Sequence, residues 1–123
     1  MQTHQFTRTL KDWYRARELS ALDAKCKASL ELLPSFGLSD VDYKDLQENW
    51  AYVLSYVRHV RNRWKMPGYY HSEYQGWKHD VVVPQLVMGE AKRTITILER
   101  SGNQKGLVVW KTLWKSYLSK KQN

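Results

Sequence analysis

Two groups of residues in this chain carry side chains suited to chemistry. The first is His71, Glu73, His79 and Asp80, imidazoles and carboxylates that ligate metals or exchange protons when they converge. Their spacing matches neither the paired histidines of a zinc-protease helix nor a paired-cysteine zinc signature, and Cys26 is the only cysteine. A polar loop beside aromatic residues accounts for the same letters, so no metal and no cofactor is expected. The chain also lacks a Gly-x-Ser-x-Gly elbow, a phosphate loop and a Gly-x-Gly-x-x-Gly turn. No catalytic residue is assigned, and the protein is expected not to be an enzyme.

The second group is cationic. Arg58, His59, Arg61, Arg63 and Lys65 fall close together, with Tyr52 and Tyr56 one or two turns earlier. Guanidinium and ammonium groups neutralise phosphates, and exposed aromatic rings give unpaired bases a surface to stack on. Lys111 and Lys115 belong to a second basic stretch, Lys105 to Lys121, that has no acidic residue after Glu99. The candidate nucleic-acid contacts are therefore Arg58, Arg61, Arg63, Lys65, Lys111 and Lys115, with Tyr56 and His59. Cations at a helix C-terminus also answer the helix dipole, at about 0.3 to 1 kcal/mol each. The stripe Tyr52, Tyr56, His59 and Arg63 exceeds what a helix end requires. Replacing Arg58 and Arg61 is expected to weaken binding while leaving thermal stability almost unchanged.

The element that must position these cations is Tyr43 to Lys65. Tyr43, Leu46, Trp50, Val53, Val57, Val60 and Trp64 recur at three- and four-residue spacing, which predicts a helix with one continuous apolar seam. Ser39 is its cap and Asp40, Asp42, Asp45 and Glu48 lie at its positive end. Ahead of it, residues 3 to 33 read as helix, opened by Thr3 or Thr7 and closed by Pro34. Within that segment the apolar phase shifts between Trp13 and Leu19, so the helix either bends or restarts at Ser20, with Asp23 completing a capping box, or changes packing partner midway. Arg8, Lys11 and Arg15 share a face and form a possible phosphate line or a solvated surface.

After Met66, Pro67 and Gly68, a short helix from Ser72 is expected to turn Tyr74, Trp77 and Val81 inward. A further helix starts near Pro84, keeps Val87, Ala91, Ile95 and Leu98 in phase, and stops at Ser101 and Gly102. The last segment, 103 to 121, carries Leu107, Trp110, Leu113, Trp114 and Tyr117 on one side. The sum is an all-α single domain, 1–123: a compact bundle of four to five helices around a long central helix at about 40–65. Leu46, Trp50, Val53, Val57, Val60, Trp64, Leu98, Trp110 and Trp114 form its expected core.

Composition narrows the partners. With 20 Lys and Arg against 12 Asp and Glu the net charge is +8, which draws the chain to phosphate or to acidic protein surfaces. No signal-peptide run and no stretch of about 18 apolar residues occurs, so a soluble, cytoplasmic protein without membrane contact is expected. Zinc-finger and RNA-recognition-motif signatures are absent, and a helix of some 26 residues, about 39 Å long, is far longer than the recognition helix of a helix-turn-helix protein. Helical RNases of the HEPN family resemble this chain in size and helicity, but they place Arg and His closer than Arg63 and His71, which have seven residues between them.

In length, in the helical pattern centred on Tyr43 to Trp64, and in basic residues such as Arg58, Arg61 and Lys65 on an outer face, the whole chain resembles the small all-helical subunits of CRISPR–Cas surveillance (Cascade-like) complexes. No diagnostic motif accompanies the likeness. It implies a non-catalytic subunit of an antiviral ribonucleoprotein, stacked along a filament and touching guide RNA or displaced DNA by charge. The expected function is sequence-independent nucleic-acid binding within a larger assembly, to single-stranded RNA or DNA rather than duplex, beside other protein subunits or copies of itself. Two rival readings are a helical adaptor or inhibitor whose basic face meets an acidic protein, and an enzyme using residues 71 to 80.

Overall fold

The computed structural model describes residues 10–64 and 73–119. Helix α1 runs Leu10–Leu32, and Pro34 then forces a tighter 3₁₀ turn, Leu33–Phe36, before Gly37 reverses the chain at φ 62°. The Ser39 hydroxyl accepts a hydrogen bond from the Asp42 N–H at 3.2 Å, and α2 follows as one unbroken helix, Asp40–Trp64. Next come the short α3 (Glu73–Trp77), a π-helical turn (Lys78–Val82), α4 (Val83–Arg100), α5 (Gln104–Leu113) and α6 (Lys115–Leu118). No strand occurs among the described residues, so the chain is an all-α bundle with α2 at its centre.

The seam of α2 accounts for that position. Leu46, Trp50, Val53, Val57, Val60 and Trp64 are all buried, with Tyr43 half-buried against them. Leu98, Trp110 and Trp114 close the core from the later helices. The rings of Trp50 and Trp114 stack with centroids 5.4 Å apart, and Trp110 meets Trp50 edge-on at the same separation. A buried indole N–H needs an acceptor, and these three find one: Trp50 donates to Thr94 Oγ1, Trp110 to the Ala91 carbonyl and Trp114 to Ser29 Oγ. Removal of such a ring typically costs about 3 to 5 kcal/mol.

The acids at the start of α2 have partners as well as a helix dipole to satisfy. Asp45 pairs with Arg93 at 2.7 Å and Asp42 with Arg100 at 3.1 Å, which sets α4 antiparallel to α2. Gly102, at φ 74°, turns the chain after α4. Asn103 then caps α5 by accepting from the Gly106 N–H, while its amide donates to the Phe36 carbonyl, tying the 3₁₀ turn to α5. A Cβ at Gly106 would lie 2.7 Å from the Asn103 amide nitrogen and 3.0 Å from the Phe36 ring, so the site requires glycine.

Helix α1 does not restart at Ser20, which is exposed in mid-helix, and runs as one helix through the phase shift. Leu19, Leu22 and Cys26 are buried, whereas Leu10 and Trp13 are 88% and 54% exposed, because Arg15 takes the inward position on the first turns. Tyr74, Trp77 and Val81 face outward, at 61%, 50% and 39% exposure, and the buried positions are Gly76 and Lys78. Tyr74 and Trp77 on α3 and Val81 in the π-helical turn thus correct the expectation of an inward apolar face. The last segment divides in two: α5 ends at Leu113, Trp114 leaves helical geometry, and α6 restarts at Lys115.

Candidate nucleic-acid interface

The cations of α2 divide between two flanks of its seam. Arg58 and Arg61 lean toward α1, where Asp23 is only 7% exposed. Arg58 reaches it with Nε at 2.9 Å and a second nitrogen at 3.2 Å, and Arg61 with one at 2.6 Å. Burial works to raise the Asp23 carboxyl, but hydrogen bonds and charge from the two arginines outweigh it and hold the group below the usual carboxylate range. A buried carboxylate stripped of its partners is strongly destabilising. Arg58 and Arg61 therefore join α1 to α2 through Asp23 rather than lying free, with 44% of the Arg58 side chain still exposed, and this pairing leads us to expect that their removal lowers stability.

On the other flank lie Tyr52, Tyr56, His59 and Arg63, and here α3 and the π-turn pack alongside. The Tyr56 and His59 rings are 6.3 Å apart. Lys78 Nζ lies 3.5 Å from His59 Nε2 and 4.5 Å above the Tyr74 ring, a cation–π contact. Tyr74 in turn stacks on Trp77, centroids 5.9 Å apart with planes 19° from parallel. The Tyr56 phenol is pushed up first by burial and then by the nearby Tyr74 and Tyr52 phenols. His59 is pushed below its ordinary value by partial burial and by the charges of Lys78 and Arg63, so it stays neutral at pH 7 and its ring nitrogen accepts from Lys78.

The result is a ledge of rings, Tyr52, Tyr56, Tyr74 and Trp77, with cations in its base. Tyr52, Tyr74 and Trp77 are each at least half exposed. Folding a soluble domain gives no reason to leave a stacked Tyr–Trp pair in water, and clustered exposed aromatics mark contact surfaces. Spacing alone foretold the α2 half of this ledge. The α3 half was hidden by its core-like spacing, although a run as aromatic as YYHSEYQGW was itself a signal.

The remaining candidates fall elsewhere. Lys111 and Lys115 are exposed on α5 and α6, elements whose buried rings face Ser29, Trp50 and Ala91. Lys65, His71, Arg8 and the side chains of Lys11 and Glu73 lie outside what is described. Arg15, the third member of the proposed phosphate line, instead pairs with Asp80 at 2.6 Å and covers the Trp64 ring at 5.3 Å. His79 turns inward with Nδ1 2.6 Å from Asp80 Oδ1 and Nε2 2.9 Å from Glu18 Oε1. Among the described residues no group of three His, Cys, Asp or Glu side chains is arranged to hold a metal ion, and no helix is long and apolar enough to cross a membrane.

Comparison with known protein families, with curated protein sequences and with solved structures found no match.

Proposed function

We propose that this protein is a non-catalytic, sequence-independent binder of single-stranded nucleic acid that works as a subunit of a larger assembly. The observation that carries the reading is the exposed Tyr74–Trp77 stack, continued by Tyr52 and Tyr56. Rings of this kind accept unpaired bases without regard to sequence. Duplex DNA keeps its bases stacked inside and leaves such rings nothing to grip. The +8 charge adds long-range attraction to phosphate, and exposed Lys111 and Lys115 contribute to that field. An RNA-guided filament of the CRISPR–Cas type offers single strands of the required kind, and it is the assembly we favour.

The test is fluorescence anisotropy of labelled single-stranded RNA, single-stranded DNA and duplex DNA of equal length, each at low and near-physiological salt. Single strands are expected to bind more tightly than duplex, with affinity falling linearly on a log–log salt plot whose slope counts neutralised phosphates. Absence of binding at low salt would overturn the proposal and direct the ledge to an acidic protein partner.

A further inference from the structure

A cavity of about 360 Å³ opens on a different side of α1, enclosed by that helix, by the π-turn with the start of α4, and by α6. Its size is that of a small-molecule site. Glu18, Leu22 and Lys25 line it from α1. Their i, i+4, i+7 spacing puts them on one face along about 10 Å of helix, so a carboxylate and an ammonium bracket an apolar floor. Val83 faces that floor from α4.

Both polar ends are fixed in place at the cavity wall. At the acidic end, Glu18 Oε2 accepts from the Tyr14 hydroxyl at 2.9 Å and Oε1 faces His79 Nε2. Asp80, also on the cavity wall, is held by His79 and Arg15. At the basic end, Lys25 Nζ donates one hydrogen to the Leu113 carbonyl at 2.9 Å, and an ammonium has three to give. The π-helical turn is the third feature. It swings His79 and Asp80 together into the wall, and such turns in helices concentrate at functional sites.

We propose that this cavity binds a small zwitterion whose amine and carboxylate are separated by a short apolar spacer, such as an extended dipeptide or an ω-amino acid. The amine meets Glu18 and Asp80, the carboxylate meets Lys25, and the spacer lies along Leu22 and Val83. This site is independent of the aromatic ledge and of any nucleic acid.

Three probes of matched length test the assignment: 6-aminohexanoate, hexylamine and hexanoate, titrated into the full chain while the amide shifts of Ala21, Leu22, Val83 and Ser116 are followed. The zwitterion is expected to bind at least about tenfold more tightly than either half-probe, as befits a charge-assisted hydrogen bond gained at each end. Glu18→Gln should lower its affinity several-fold, Asp80 still meeting the amine, and Lys25→Met should bring it to that of hexylamine, with the helical circular dichroism of both variants unchanged. The comparison of three probes on the unaltered chain stands even where a variant folds poorly. Equal binding of all three, or no shift at those four amides, would overturn the proposal.

Discussion

The two flanks of α2 carry similar residues and have opposite fates. On the α1 side, two arginines surround a buried aspartate and are spent on holding the bundle together. On the α3 side, tyrosines and a histidine meet further rings and a lysine, and Tyr52, Tyr74 and Trp77 remain open to water. Positive charge near a helix end is therefore not evidence of a binding face. What distinguishes the α1 flank is the distant acid, Asp23, that engages both arginines.

The difference between the flanks predicts effects that separate stability from binding. The largest is Arg61→Ala, which leaves Asp23 short of a partner and is expected to cost about 2 kcal/mol, lowering the melting temperature by roughly 8 °C. Oligonucleotide affinity of the folded variant should stay within about twofold of the parent protein by the same division of roles. A stable Arg61→Ala protein with much weaker binding would erase the distinction. Next comes the double replacement Tyr74→Ala with Trp77→Ala, expected to weaken single-strand binding about tenfold through lost stacking, with thermal stability nearly untouched because both rings are already solvated. Lys111→Ala with Lys115→Ala ranks third. It should reduce the slope of the salt plot by no more than about two while the preference for single strands persists.

The smallest effect is set by pH. His59 has a folded-state value below its ordinary one, so the unfolded chain binds its proton first. The contribution of this group is present above about pH 6.5 and is lost as pH falls through that value, when a protonated ring would face Lys78 and Arg63. Melting curves at pH 7.5 and 5.5 should show a slightly larger drop for the parent protein than for His59→Gln. Asp23 and Asp80, both held below the usual carboxylate range, lose their contributions only below about pH 4, so the windows do not overlap.

Much of the scaffold was legible in the sequence because α2 states its period without a slip. The expected span of about 40–65 covers the observed Asp40–Trp64, and its seam is the core. The Pro84 start and Gly102 stop of α4 were legible for the same local reasons. What stayed hidden was non-local. Asp23 lies 35 and 38 positions from Arg58 and Arg61, and nothing nearby in sequence announces such a pairing. Tyr74, Trp77 and Val81 share the spacing of a core face yet point to solvent, and spacing alone does not say which side of a short helix is covered. Half of the ledge, Tyr52 with Tyr56 and His59, was visible as a stripe; its other half was not.

The account turns on where a single strand touches. Photo-crosslinking a 5-iodouridine-substituted oligonucleotide to the full chain, followed by mass spectrometry of the linked peptides, reads this directly. Crosslinks concentrated at Tyr52, Tyr56, Tyr74 and Trp77, abolished by excess unlabelled single strand and resistant to duplex, are the predicted result. Crosslinks confined to the peptides carrying Lys111 and Lys115, with none on the α3 side of α2, would contradict it.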